Sequence, residues 1–219
     1  MKKFSVILAA LLMTLGANAQ DKPVKFGVKA GVNLSSVSSI KVSGGGQDEP
    51  LLEGDGMSVG FHAGGFLNYS FGQYFGIQPE LLFSMQGGKQ KSPGNDPLKT
   101  SLSLSYINIP ILFEVKPITG LSLLVGPQIG LNVSRSGKLG DTNYSGSKFD
   151  ELTKDSFGCD FKKFDFSIAL GLQYALPMNI YLGARYNLGV IAPINYSESG
   201  ITVSGWKHNV IQLSVGYAF

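Results

Sequence analysis

The chain has 219 residues, 18 of them basic and 15 acidic, and charged residues make up only 15% of it. Ordinary soluble domains carry about 25% charged residues; this chain instead has 29 glycines and 11% aromatic residues. The net charge of +3 is too small to indicate a nucleic-acid partner. Because Cys159 is the single cysteine, an internal disulfide framework is excluded, and we expect an incidental free thiol in a polar loop.

The first 19 residues predict a secretory signal peptide. Lys2 and Lys3 precede an apolar run over Phe4–Leu15, and Ala17–Ala19 (Ala-Asn-Ala) is an Ala-x-Ala cleavage site. The apolar run is too short to span a membrane as a helix. We therefore expect residues 20–219 to be the mature chain, with a net charge of +1 once the two lysines are removed, folded as a single domain.

After the signal, apolar and polar residues alternate along eight segments, a pattern typical of β-strands with one apolar face. In the fourth segment the apolar pattern changes phase near Tyr106, which predicts a β-bulge. Pro79, Pro110 and Pro127 lie inside segments, where each removes a backbone donor, so we expect bulges or water-bonded carbonyls there. In chain order the predicted strands are Val24–Leu34, Met57–Ser70, Tyr74–Gln86, Ser101–Lys116, Leu121–Ser134, Phe164–Leu176, Ile180–Val190 and Val210–Phe219.

The connections between these strands alternate between long and short. The first, third, fifth and seventh have 14 to 29 residues, and the other three have three or four. Outer-membrane barrels combine an even number of strands with long outer loops and short periplasmic turns. After the signal there is no apolar run of about 18 residues that would predict a spanning helix. The sequence therefore predicts an all-β fold, an eight-stranded antiparallel up-and-down transmembrane β-barrel in the bacterial outer membrane.

The composition of the two strand faces indicates which one meets the membrane. The polar face is built of glycine, serine, asparagine and glutamine with few lysines, which suits a narrow packed lumen better than a water-exposed surface. The apolar face is expected to contact outer-membrane lipids, with aromatic girdles at both interfaces. The girdle residues would be Tyr69, Phe71, Tyr74, Phe75, Tyr217 and Phe219 on the periplasmic side, and Tyr106, Phe164 and Trp206 on the outer side.

The polar face also carries charged residues that the lumen would enclose. Buried charges must be paired or solvated, so we predict a polar network that fixes strand register; a proton or ion path is the functional alternative. Since Glu80, Glu114 and Arg185 lie at similar distances from periplasmic turns, Arg185 should pair with at least one glutamate. An eight-stranded barrel is only wide enough for its own side chains, so no open pore is expected. The predicted network consists of Lys25, Lys29, His62, Glu80, Glu114, Asp165 and Arg185.

Several segments resemble the outer-membrane β-barrel family that contains the PorT-like proteins. The resemblance covers most of the mature chain and includes all three strand prolines. It implies the barrel architecture, and only some members of the family are tied to the assembly of secretion systems. The segments are Ile77–Gly87, Tyr106–Lys116, Gly126–Leu131, Phe164–Tyr174, Ala184–Gly189 and Gly216–Phe219.

The chain ends on an aromatic residue, with a second aromatic residue two positions earlier. Tyr217 and Phe219 resemble the C-terminal signal that outer-membrane barrels present to their assembly machinery. The resemblance implies the barrel-assembly machinery as a partner and Val210–Phe219 as the closing strand.

The sequence predicts a protein that is not an enzyme and has no cofactor. It contains no metal-ligand spacing, and the glycines at 44–46 do not follow a P-loop pattern. We expect the outer loops to carry a structural, adhesion or secretion and assembly role, with a secretion or surface protein as partner. Porin-like transport of small solutes is one alternative. A lipid-modifying enzyme that uses His208 with Ser204 or Ser199 is the other.

Overall fold

The computed structural model describes residues 24–37, 40–44, 47–91, 99–139, 142–145, 164–190, 196–198, 201–205 and 208–219. The predicted signal peptide, Cys159 and Trp206 lie outside these residues, so the expectations for them stay predictions. In the described part of the chain, no helix has the length and apolar character needed to cross a membrane.

Thirteen strands and one 3-10 turn, at Pro177–Asn179, make up the described chain. Eight long strands form a continuous wall: β1 (Val24–Val37), β4 (Ser58–Phe71), β5 (Phe75–Lys91), β6 (Lys99–Ile118), β7 (Leu121–Leu139), β9 (Phe164–Ala175), β10 (Ile180–Gly189) and β13 (His208–Ala218). Five short strands belong to the long connections: β2 (Ile40–Gly44), β3 (Gln47–Gly54), β8 (Thr142–Ser145), β11 (Tyr196–Glu198) and β12 (Ile201–Gly205).

The eight wall strands close into a barrel. Each pairs antiparallel with its two neighbours in the order β1, β4, β5, β6, β7, β9, β10, β13, and β13 pairs back with β1. The predicted eight-stranded antiparallel barrel is confirmed. A row of paired residues that leaves β7 at Ser122 returns to β7 at Asn132, ten residues further along. The strands are therefore tilted, and each row climbs as it circles the barrel.

The two ends of the barrel differ. Both ends of the described chain lie at one end of the barrel, together with tight turns at Gly72–Tyr74, Thr119–Gly120 and Pro177–Asn179. Gly72 and Gly120 have φ angles of 79° and 85°, which glycine adopts without the clash that a side chain would cause. The long connections all begin and end at the other end of the barrel, in agreement with the predicted alternation of long and short connections.

The long connections contain strands that the sequence analysis assigned to loops. β11, β12, β2 and β3 form a small antiparallel sheet that joins β5, and β8 pairs with β7. β5, β6 and β7 also extend beyond their predicted outer ends, so the wall is tallest on that side. The prediction that these residues form loops was wrong. β2, β8, β11 and β12 have at most five residues each, so the alternation in β2 and β12 is too short to stand out, and β3 shows none.

The wall has an apolar outer face and a mostly polar inner face. In β13, Leu213, Val215 and Tyr217 are 45–57% exposed, whereas Val210 and Gln212 are 2% exposed. The predicted periplasmic girdle lies on the outer face at the short-turn end, where all six of its aromatic residues are exposed. Two edge-to-face contacts lie within it, Tyr69 with Phe71 at 4.9 Å and Tyr217 with Phe219 at 5.3 Å between ring centroids. At the other end Phe164 is 65% exposed, as predicted.

The change of apolar phase along β6 arises because apolar residues occupy both of its faces, and not because a bulge reverses the faces of β6. Leu102, Leu104 and Tyr106 are buried and face the interior, in step with Asn108, so the strand keeps its faces and Tyr106 does not belong to the girdle. The predicted bulge is present at Tyr106, since Ser105 pairs with Ser134 but Tyr106 pairs with Asn132. The extra residue of this bulge lies on β7.

Pro79, Pro110 and Pro127 each lie at a gap in one ladder. Pairing between β4 and β5 skips two residue pairs at Pro79, pairing between β5 and β6 skips two at Pro110, and pairing between β6 and β7 skips two at Pro127. The register is the same on both sides of each gap, so the bulges expected at these prolines are absent. A two-residue gap accommodates the missing N–H donor without moving any side chain to the other face.

Candidate functional site

Three charged residues from three strands meet inside the barrel. Arg185 of β10 donates two hydrogen bonds to the carboxylate of Glu80 on β5, from Nη1 to Oε2 at 2.8 Å and from Nη2 to Oε1 at 2.7 Å. Lys29 of β1 lies with Nζ 2.7 Å from Glu80 Oε2. The side chains of Glu80, Lys29 and Arg185 are 0%, 7% and 6% exposed. We call these three residues the ion cluster.

Glu80 is the only carboxylate that contacts both cations among the described residues. Gln78 Nε2 donates to its Oε1 at 2.7 Å, so the carboxylate receives four hydrogen-bond donors. A carboxylate offers about four lone-pair sites, and all are therefore used. Because two cations share one anion, the charge balance of the cluster depends on Glu80 more than on either of its partners.

A second polar group lies nearer the short-turn end. Glu114 accepts a hydrogen bond from Asn68 Nδ2 at 2.6 Å and lies 3.3 Å from Lys116 Nζ. Asn68 also donates to Gln78 Oε1 at 3.1 Å, which links this group to the ion cluster. The contact expected between Arg185 and a glutamate is thus made with Glu80, and Glu114 has Asn68 and Lys116 as its partners.

A neutral hydrogen-bonded group contains His62. Asn33 Oδ1 lies 2.8 Å from His62 Nδ1 and accepts from Gln212 Nε2 at 3.0 Å. Asn33 Nδ2 donates to Ser84 Oγ at 3.0 Å and to the backbone oxygen of Met85 at 2.7 Å. The imidazole of His62 thus bonds an amide, and no hydrogen bond joins it to a serine nucleophile in the described part of the chain.

The structure separates two predicted members from the network. Lys25 lies on the polar face of β1, but its side chain is exposed at the short-turn end, four residues and roughly 13 Å along the strand from Lys29. Asp165 is half-buried near the outer end of β9, where it pairs with Gly130. Lys25 thus occupies an end of the barrel, where the lumen meets water and a charge needs no protein partner, whereas the carboxylate of Asp165 accepts a hydrogen bond from the backbone of Phe166.

Apolar side chains occupy other parts of the interior. Leu112, Leu124 and Ala169 form a buried cluster with 0–4% exposure. Phe66 packs edge-to-face against Tyr181, with ring centroids 5.9 Å apart, towards the short-turn end. The sequence analysis missed these contacts because a leucine that faces the lumen and one that faces lipid look alike in a single sequence.

Within the described residues, no group of three or more His, Cys, Asp or Glu residues could hold a metal ion. A groove of about 580 Å³ lies on the outer wall, lined mainly by membrane-facing apolar residues such as Ala30, Leu182 and Val215. The ion cluster cross-links β1, β5 and β10 through hydrogen-bonded charges.

A closed antiparallel wall with an apolar exterior and a packed polar interior defines a membrane-spanning β-barrel. A family model described as outer membrane protein beta-barrel domain matches residues 18–195. The chain therefore belongs to this family, and it is a protein of the bacterial outer membrane.

The fold is similar to those of several solved outer-membrane proteins. Neisserial surface protein A is 15% identical, with 89% of this chain and 97% of that chain covered and a TM-score of 0.49. OprG of Pseudomonas aeruginosa is 17% identical, with coverages of 89% and 95% and a TM-score of 0.47. Ail, the attachment invasion locus protein of Yersinia pestis, is 15% identical, with coverages of 89% and 98% and a TM-score of 0.38. No curated protein matches the sequence.

Proposed function

We propose that this outer-membrane barrel is not an enzyme and has a filled lumen, with its function carried by the parts of the chain outside the membrane. The observation that supports the filled lumen is the ion cluster. Glu80 from one side of the barrel bonds Arg185 from the opposite side, and Lys29 bonds the same carboxylate. A solute that passed this point would have to break hydrogen bonds between buried charges, a large cost in a low-dielectric interior.

The height of the wall supports a role outside the membrane. A wall strand needs about 9–11 residues to cross the bilayer, whereas β5, β6 and β7 have 17, 20 and 19 residues. The excess lies at the end opposite the short turns, where β2, β3, β8, β11 and β12 add further pairing. An outer-membrane protein that extends an ordered sheet beyond the bilayer presents a fixed surface to other molecules. Structural, adhesion and secretion or assembly roles all use such a surface.

The resemblance to PorT-like proteins bears on the role outside the membrane. It favours a secretion or assembly role, with a secretion or surface protein as partner. The C-terminus supports the barrel-assembly machinery as a second partner, because the backbone N–H of Phe219 donates to Phe26 O at 2.7 Å and joins the last residue to the first wall strand. Outer-membrane lipids would cover the apolar outer face.

Conductance measurements test the filled lumen. The folded protein, reconstituted in a planar bilayer, should give no steady ion conductance. Glu80→Gln leaves two buried cations without their anion, so this variant should show transient conductance. Lys25→Met, an exposed change on the same face of β1, is the matched control. Steady conductance from the unmodified protein would overturn the filled lumen and favour porin-like transport.

Photo-crosslinking tests the role outside the membrane. Photo-crosslinkers placed in β8, and at lipid-facing positions of β10 as a control, should be compared in intact cells. We expect a discrete protein adduct from β8 alone. Adducts from neither position, together with lipid hydrolysis or acyl transfer that is lost in His208→Ala, would favour the enzymatic alternative.

A further inference from the structure

A layer of uncharged polar side chains lies just outward of the ion cluster. Four of them, Asn33, His62, Ser84 and Gln212, form the hydrogen-bonded group described above. They come from β1, β4, β5 and β13, which are consecutive around the barrel. None is more than 2% exposed. We call this group the closed half of the layer.

The other four wall strands contribute a matching set, Asn108 of β6, Gln128 of β7, Ser167 of β9 and Asn187 of β10. All four are at most 5% exposed. Gln128 and Ser167 pair directly across their strands, and Gln128 Nε2 donates to Ser167 Oγ at 3.1 Å. We call this set the open half.

The strand register places the open half at one depth. The row that joins Gln128 and Ser167 begins at Pro110 on β6 and ends at Gly189 on β10. A row of paired residues that circles the eight strands once moves ten residues outward along β7, from Ser122 to Asn132. It therefore rises towards the outer end by a little more than one residue at each strand. Asn108 lies two residues outward of the low end of this row, and Asn187 lies two residues inward of its high end. These two shifts compensate for the rise of the row from β6 to β10, so the four side chains differ in depth by about 5 Å or less.

The open half carries polar atoms that lack a hydrogen-bond partner among the described residues. These atoms are Asn108 Nδ2, Gln128 Oε1 and both Nδ2 and Oδ1 of Asn187. The set contains donors and acceptors in equal number. A cation would satisfy only the oxygens and an anion only the nitrogens, so a neutral molecule that both donates and accepts fits best. Water does this, and buried waters typically make about three hydrogen bonds to such groups.

We propose that the open half is an internal hydration site, which holds ordered water molecules shared by Asn108, Gln128 and Asn187. The ion cluster lies on its inner side, and the buried side chains of Leu104 and Tyr106 lie on its outer side. The site is therefore a wet compartment inside a filled barrel, and it goes beyond the function proposed above.

Water-edited solid-state NMR on the full protein in lipid bilayers tests this. Magnetisation is transferred from water to side-chain amides labelled with 15N, with signals assigned from the unmodified protein so that no variant has to fold. At short mixing times we expect signals from Asn108 Nδ2 and Asn187 Nδ2 and none from Asn33 Nδ2, whose acceptors are all protein atoms. Equal transfer to Asn33, or none to Asn108 and Asn187, would overturn the site.

A variant tests whether the water is shared. Asn187→Leu, which is close to isosteric, should abolish the transfer to Asn108 Nδ2 because both amides bond the same water cluster. Ser84→Ala, in the closed half, is the control and should leave that transfer unchanged. Unchanged transfer in Asn187→Leu would show that Asn108 is hydrated independently and would refute a shared site.

Discussion

Replacing each member of the ion cluster in turn should give unequal losses of stability, with Glu80→Gln the largest. The carboxylate of Glu80 compensates both Arg185 and Lys29. Removing it leaves two buried cations facing each other. Breaking a buried pair by deleting one partner costs about 3–5 kcal/mol, and Glu80→Gln should reach or exceed the upper end because two partners are left unpaired.

Replacing either of the two cations should cost less stability than replacing Glu80. Arg185→Met removes two charge-assisted hydrogen bonds, worth about 1.5–3 kcal/mol each, but it leaves a balanced Lys29–Glu80 pair. Relief of the repulsion between the cations offsets part of the loss, so we expect a net cost of about 2–3 kcal/mol. Lys29→Met removes one contact and leaves the two-bond pair of Arg185, for about 1–2 kcal/mol. Adding Glu80→Gln to Arg185→Met should deepen the loss, because Lys29 then has no anion.

Urea unfolding in lipid or detergent, followed by the electrophoretic shift between folded and unfolded barrel, measures these free energies. Lys25→Met, on the same strand and face but exposed, is the control and should change stability by less than about 0.5 kcal/mol. A cost for Lys29→Met equal to that of Glu80→Gln would contradict the charge argument. Rescue of Arg185→Met by Glu80→Gln would refute it, since that requires Lys29 not to depend on Glu80.

Three further outcomes are expected. Deleting Phe219 should reduce the amount of folded, heat-modifiable protein in the outer membrane, measured on immunoblots; equal amounts would remove the case for a C-terminal assembly signal. Proteinase K, which has broad specificity, should when added to intact cells cut within residues 146–163 and leave the turn at Gly72–Tyr74 intact, as mapped by mass spectrometry, and the reverse pattern would mean an inverted barrel. Gly64→Ala should prevent folding, because its β-carbon would overlap a backbone carbonyl oxygen of β5, whereas Gly65→Ala has only a 3.5 Å contact and should fold normally.

Strand number, faces and closure could be predicted because a membrane barrel imposes a two-residue alternation on every wall strand. The pairing of Arg185 with a glutamate could be predicted for a related reason, since distance from a short turn fixes depth in a narrow barrel. Neither argument needs knowledge of the partner strand. Each depends only on residue order along the strands and on the positions of the turns.

The failures have separate physical causes. Leu102 and Leu104 face inward, because an interior this narrow accepts apolar side chains as readily as a bilayer does, and alternation cannot separate the two environments. β2 and β3 pair outside the membrane, where no apolar face is required, so the alternation in β2 is limited to Ile40 and Val42 and residues 44–54 carry no periodic signal. The partner of Glu114 depends on which side chains reach it across neighbouring strands, and local sequence does not encode that.

The three prolines at the ladder gaps make the stiffness of the wall differ from one side of the barrel to the other. β1 pairs with β13 over eleven consecutive residue pairs and with β4 over twelve, with no gap. The ladders on either side of β5 and β6 are each interrupted by two residue pairs. Lateral pressure from the bilayer should therefore deform the flank formed by β4 to β7, while the seam that joins the first and last strands stays stiff. The positions of Pro79, Pro110 and Pro127 therefore predict that this flank is the more flexible part of the wall.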